Sequence, residues 1–104
     1  MGKKKILEII ESRGYVRPGE AKSDKNVLYK LYRAGVLKRS KVGLHVYYYR
    51  DSKRLVSVVI KELVNRKGDA PLYVEVEEEV PCLECIATRK YKTKRGTTIY
   101  VIPR

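Results

Sequence analysis

Apolar residues at helical spacing, bounded by glycine and proline, predict three helices in the first half of the chain. The predicted helices cover residues 3–13, 18–22 and 24–34. Gly14 and Gly35 follow the first and third runs, where glycine readily takes the left-handed conformation that ends a helix. Pro18 opens the second, because an N–H of the first turn has no helical partner to lose. The first third of the chain is therefore predicted to be helical.

After these helices the apolar pattern changes to alternation, which is typical of strands. Residues 36–50 are predicted to form two strands that meet at a turn around Val42 and Gly43. The two sides of the second strand are expected to carry Leu44, Val46 and Tyr48, and His45, Tyr47 and Tyr49. The helices are therefore followed by a predicted β-hairpin.

The two halves of the chain repeat one pattern at a constant offset, which indicates two similar units. In the hairpins, the matched residues are Ser40, Lys41, Gly43, Val46 and Tyr47 with Thr93, Lys94, Gly96, Ile99 and Tyr100. In the first helices, they are Ile6, Leu7, Ile10 and Arg13 with Val59, Ile60, Leu63 and Arg66. The second half is therefore expected to fold like the first.

A predicted helix over 52–67 opens the second half, and the next stretch, 72–80, is ambiguous. Apolar and acidic residues alternate in it, which favours a strand. The repeat instead places the second helix there, with Pro81 opening a third, and we give the repeat more weight because local propensity is a weak guide. We therefore predict helix over 72–80, and a second hairpin over 90–102.

The first half resembles the winged helix-turn-helix domain over residues 3–50. The resemblance is carried by the run VLYKLYRAGVLKRSKVGLHVYYYR, in which an apolar-faced helix ends at Gly35 and leads into a basic hairpin. It implies that the third helix enters the major groove of DNA and that the hairpin is the wing beside it. The expected fold class is α+β, mainly helical, with two small winged-helix units, 1–51 and 52–104, packed together in tandem.

The charge balance points to a polyanionic partner. The 104 residues include 24 Lys and Arg against 12 Asp and Glu, for a net charge of +12, and so dense a positive field favours nucleic acid. The longest mostly apolar run, 55–60, is far shorter than the roughly 20 residues that cross a bilayer. We therefore expect double-stranded DNA as the partner, no membrane partner, no cofactor and a cytoplasmic location.

The candidate DNA contacts are basic and polar residues of the third helix and of the two wings. They are Lys22, Ser23, Lys25, Asn26, Tyr29, Lys30, Arg33, Lys38, Arg39, Lys41, Arg89, Lys90, Lys92, Lys94 and Arg95. Asn26, Lys30 and Arg33 are the expected base readers, because Asn pairs with adenine and Lys or Arg with guanine. These residues predict a sequence-specific DNA-binding protein that regulates transcription.

Two other function classes remain open. An assembly or adaptor module would use the same domains to bind protein, and an RNA-binding protein would use the tyrosine-rich basic strands for stacking. Of the three tyrosines in the first hairpin, Tyr47 is the one that we expect to contact a ligand. Tyr48 and Tyr49 match aliphatic residues of the second half, which is typical of packing positions. The acidic face of the second unit points to a protein partner, to the second subunit of a homodimer or to solvent, and it comprises Glu75, Glu77, Glu78, Glu79 and Glu84.

Catalysis and metal binding find little support in the sequence. With one histidine, no glycine-rich phosphate loop and no Ser-His-Asp set, we expect no enzyme. Cys82 and Cys85 form half of a zinc site at most, and His45 is the only histidine. A metal shared across a dimer and a disulfide are the alternatives to our prediction, which is that both thiols fill core positions matching Leu28 and Leu31.

Overall fold

The computed structural model describes residues 2–21 and 24–103, which form an α+β fold. The helices are Lys3–Arg13 (α1), Pro18–Ala21 (α2), Lys25–Arg33 (α3), Ser52–Asn65 (α4) and Pro81–Glu84 (α5). The strands are Tyr15–Val16 (β1), Lys38–Val42 (β2), His45–Tyr49 (β3), Leu72–Val76 (β4), Arg89–Lys92 (β5) and Thr98–Ile102 (β6). The predicted first helix and both predicted hairpins are confirmed, apart from small shifts at the ends of the hairpin strands.

The ends of the long helices follow local chemistry. Gly14 takes φ 98°, a left-handed conformation, and its N–H donates to the carbonyl of Ile10, which ends α1. At the start of α4, the carboxylate of Asp51 accepts a hydrogen bond from the N–H of Lys53 at 3.0 Å. The two helices meet where the Arg54 guanidinium donates to the carbonyl of Glu11 at 2.8 Å.

One antiparallel sheet joins the two halves, with strand order β1-β3-β2-β4-β6-β5. In the first half β1 pairs with β3, and in the second β4 pairs with β6 in the same way. The junction is the pairing of β2 with β4, in which Ser40 lies opposite Val76 and Val42 opposite Val74. The order helix, short strand, helical segment and hairpin is therefore repeated along one continuous sheet.

Two hydrophobic cores lie on opposite faces of this sheet. On the α4 face, α4 and α5 pack on the sheet through residues such as Leu55 and Leu83. On the α3 face, α1, α2 and α3 pack on the first half of the sheet. Tyr47 and Tyr49 belong to the first core and Tyr48 to the second, which confirms the predicted alternation of β3.

The prediction of helix over 72–80 is wrong, because β4 occupies Leu72–Val76. Leu72, Val74 and Val76 are fully buried on the α4 face, and the backbone of β4 pairs with β2 and β6. Two partner strands satisfy its N–H and C=O groups, and the α4 core takes its apolar side chains. The alternation in this stretch was therefore the correct signal.

The expectation of a mainly helical fold is also wrong, since helix accounts for 43% of the residues that the structure describes. The predicted third helix of the second half is reduced to the single turn of α5, and part of its segment forms the strand β5 instead.

None of the helices in the described ranges is long and apolar enough to cross a bilayer.

Candidate nucleic-acid interface

Helix α3 has one apolar face and one polar, basic face. Leu28 and Leu31 are buried in the core on the α3 face of the sheet. The opposite side of α3 carries Asn26, Tyr29, Lys30 and Arg33, with Lys25 beside them, and all five residues are exposed. Positions i, i+3, i+4 and i+7 share one side of a helix, so four of these side chains form a continuous stripe. The remaining predicted contacts of this region, Lys22 and Ser23, lie outside the described residues.

The C-terminal half of α3 is attached to the second half of the chain through Tyr32. Its hydroxyl donates to the carboxylate of Glu77, with both oxygens at 2.5 Å. The Arg39 guanidinium lies 4.4 Å from the centre of the Tyr32 ring. The rings of Tyr32 and Tyr48 pack edge-on, with 6.0 Å between their centres. The hydrogen bond to Glu77 raises the pKa of Tyr32. These contacts fix the orientation of the polar stripe relative to the sheet.

The first hairpin is less available for DNA than the sequence predicts. Lys38 Nζ lies 3.3 Å from a carboxylate oxygen of Glu78, and Arg39 Nε lies 3.5 Å from one of Glu77. Strand β2 is internal to the sheet, so this hairpin does not project as a free wing. Of its three predicted contacts, Lys41 alone is exposed and outside any ion pair among the described residues.

The second hairpin lies at the edge of the sheet, and several of its cations are also paired. Lys90 Nζ lies 2.7 Å from Glu84 and 3.6 Å from Glu79, and the hydrogen bond with Glu84 raises the pKa of Lys90. Lys92 reaches Glu79 at 3.9 Å, and Arg95 reaches Glu75 at 3.3 Å. In residues 2–21 and 24–103 neither Arg89 nor Lys94 is ion-paired, so both are available to an external anion.

The acidic face of the second half is matched within the molecule. Each of its five glutamates lies within ion-pair distance of a basic side chain of one of the hairpins. These contacts account for the acidic residues without a partner protein. The sequence did not reveal this, because it showed the charges but not which strands would be neighbours.

A cleft of about 500 Å³ separates the end of α3 from the turn of the second hairpin. Its walls are formed by Tyr32, Arg39, Ser40, Lys41, Val46, Glu75, Glu77, Arg95, Gly96 and Thr97. Because α3 and this turn are on the same side of the sheet, their basic residues can face one ligand.

No family model matches this chain, and no curated protein or solved structure is significantly similar to it.

The tyrosines of β3 are structural. Tyr47 is 5% exposed and Tyr49 is 2% exposed, so the prediction that Tyr47 is left to contact a ligand is wrong, as is stacking on either ring. Tyr47 packs edge-on against Tyr15 at 5.2 Å between ring centres. The exposed rings are Tyr29, Tyr73 and Tyr91. The sequence interpretation missed Tyr73 because it placed residues 72–80 in a helix.

Cys82 and Cys85 do not fill core positions, which corrects that prediction. Both thiols are exposed and unpaired, and Leu83 between them enters the core instead. The turn of α5 is oriented with Leu83 toward the sheet, so the residues on either side of it face away from the core. Among the described residues, no three His, Cys, Asp or Glu side chains are grouped so that they could hold a metal. His45 is engaged elsewhere, with its Nδ1 2.8 Å from Nη2 of Arg17.

Proposed function

We propose that this protein binds double-stranded DNA in a sequence-specific manner, as a transcription regulator built from two winged-helix units in tandem. The observation that carries the proposal is the stripe on α3. Its Lys25, Lys30 and Arg33 make no ion pair within the described part of the chain, whereas five cations of the hairpins are neutralised by glutamates. Three free cations and Asn26 thus lie together on the helix that resembles a recognition helix.

The order of elements supports the winged-helix part of the proposal. Helix, short strand, two helices and a hairpin follow one another in the first half, and the short strand pairs with the second strand of the hairpin. The second half has a helix, a strand, the single helical turn of α5 and a hairpin, so it repeats this order with one of the two middle helices absent. DNA recognition therefore depends on α3, and the second half contributes its hairpin.

The stripe on α3 suits the major groove in size and chemistry. An α-helix with its side chains is about 10–12 Å across, and the major groove, about 12 Å wide, admits it. The Asn26 side chain can bond adenine in two places, and Lys30 or Arg33 can bond guanine. Lys25, Lys41, Arg89 and Lys94 then neutralise phosphates, which fixes the position of the protein without reading sequence.

Salt dependence and mutation test this function. With four cations that neutralise phosphates, log K should fall against log salt with a slope of about −4. The double variant Lys30→Ala/Arg33→Ala should bind a labelled random duplex at least about tenfold more weakly by fluorescence anisotropy. Its matched control is Lys53→Ala/Lys61→Ala, which removes two exposed cations from α4. Equal losses in both variants, or no binding at low salt, would refute recognition by α3.

A further inference from the structure

The second half of the sheet has one face that no helix of the described chain covers. Side chains alternate along β4, β5 and β6, and one set enters the α4 core. The other set forms a surface that we name the open sheet face, comprising Tyr73, Glu75, Arg89, Tyr91, Ile99 and Val101. The core on the α3 face includes no residue of these three strands. This surface is therefore exposed beside the covered first half.

Two tyrosines project from the open sheet face above an aliphatic floor. Tyr73 is 50% exposed and Tyr91 is 45% exposed. Across the strands Tyr73 lies opposite Val101, and Tyr91 lies opposite Ile99. With β6 between them and a step of two residues along the strands, the two Cα atoms are about 12 Å apart. That separation lets each ring stack on a different base.

The charges around the two rings fit a phosphate backbone. Arg89 is on the open sheet face, Lys94 is at the adjoining turn, and neither is ion-paired within the described ranges. The one acidic group of the face, Glu75, is bound by Arg95 at 3.3 Å and by the hydroxyl of Thr97 at 2.6 Å. The face therefore presents a net positive charge beside two aromatic rings.

We infer that the open sheet face binds single-stranded nucleic acid, with bases stacked on Tyr73 and Tyr91 and phosphates held by Arg89 and Lys94. A single strand suits the face better than a duplex, because stacking on a side chain needs bases that are free of their neighbours. RNA and DNA strands share this chemistry, and the 2′-hydroxyl distinguishes them. This site goes beyond the proposed function, because its two rings lie on a surface other than the stripe on α3. It shares Arg89 and Lys94 with the contacts proposed for duplex phosphates.

The test is anisotropy with a labelled 12-nucleotide RNA, the DNA strand of the same sequence and the corresponding duplex. The variant Tyr73→Thr/Tyr91→Thr keeps residues that favour strands but removes both rings, and it should bind the single strands at least about fivefold more weakly. Tyr73→Phe/Tyr91→Phe keeps the rings and should bind like the wild type. Tighter binding of one strand identifies RNA or DNA as the preferred occupant, and equal binding supports the chemistry that both share.

A matched control separates this site from the stripe on α3. Tyr29→Ala removes an equally exposed ring from α3 and should leave single-strand binding unchanged. Lys30→Ala/Arg33→Ala should weaken binding to the duplex and leave binding to the single strands unchanged. Failure of the proposed function can therefore be distinguished from failure of this site. Circular dichroism shows whether each variant is folded. The inference is overturned if the folded wild type binds neither strand at low salt, or if the threonine variant binds as tightly as the wild type.

Discussion

At the residue scale, the tyrosines divide into core rings and surface rings. Tyr47 and Tyr100 occupy matching positions of β3 and β6, and both point into the α4 core. Tyr100 is fully buried, and its hydroxyl accepts a hydrogen bond from the N–H of Val80 at 3.1 Å. This bond holds the segment that leads into α5 against the sheet. Tyrosine at this position therefore serves structure through its hydroxyl as well as its ring.

Replacing Tyr100 by Phe should lower the free energy of unfolding by about 1–3 kcal/mol, because the buried N–H of Val80 is left without its acceptor. Urea unfolding followed by circular dichroism measures the change. Tyr47→Phe is the control, since the Tyr47 hydroxyl makes no hydrogen bond to any described residue, and its effect should be much smaller. Equal effects of the two substitutions would contradict the role given to the Val80 bond.

Tyr49 should make the fold sensitive to alkali. Burial raises its pKa to about 12 from 10.0, with a smaller contribution from the nearby charges of Glu78 and Glu77. Because the folded protein prefers the neutral phenol, the stability from this group is complete below pH 10 and is lost as pH rises toward 12. Unfolding measured across that range should show a smaller loss in Tyr49→Phe than in the wild type. An identical loss of stability in both proteins would show that folding does not raise the pKa of Tyr49.

At the element scale, local patterns predicted most helices and both hairpins, and the prediction failed where the repeat was followed against the local pattern. The glycine after α1 and the alternation in β3 depend on neighbouring residues, so the sequence was sufficient for them. Strand β4 was also indicated locally, by the alternation over 72–80, and its prediction failed because the repeat was given more weight. Its pairing with β2 and β6 was not predictable, because Ser40 and Thr98 are distant in sequence. The candidate site divides similarly. The stripe on α3 was predictable from helical spacing, whereas the ion pairs of Lys38 and Arg39 required knowledge of which strands are neighbours.

The two outer strands of the sheet should keep the protein monomeric. Strand β1 has only two residues and is followed by Pro18, which begins α2 and has no N–H to donate. Strand β5 carries Arg89, Lys90 and Lys92, and basic edge strands discourage pairing with another chain. Light scattering after gel filtration should give the 12.1 kDa monomer. The variant Lys90→Thr/Lys92→Thr should associate more than the wild type, and a stable wild-type dimer would contradict this account.

At the scale of the whole molecule, charge is distributed unevenly between paired and free sites. The second half places its glutamates against the two hairpins, which neutralises cations there and holds the halves together. The stripe on α3 has no such counter-charge among the described residues. A protein with a net charge of +12 would attract any polyanion. The exposed stripe of Asn26, Lys30 and Arg33 on one side of α3, rather than the total charge, is therefore the basis for proposing α3 as the DNA-reading surface.

The most direct test of this central claim is a selection from random duplexes, followed by replacement of the selected guanines with 7-deazaguanine. That base lacks the N7 acceptor of the major groove and leaves the minor groove unchanged. We predict an enriched site, asymmetric because we expect the protein to bind as a monomer, and a loss of about 1–3 kcal/mol in binding free energy at a guanine contacted by Lys30 or Arg33. Failure to enrich any sequence, or a selected site that binds equally well after the replacement, would contradict recognition by α3 in the major groove.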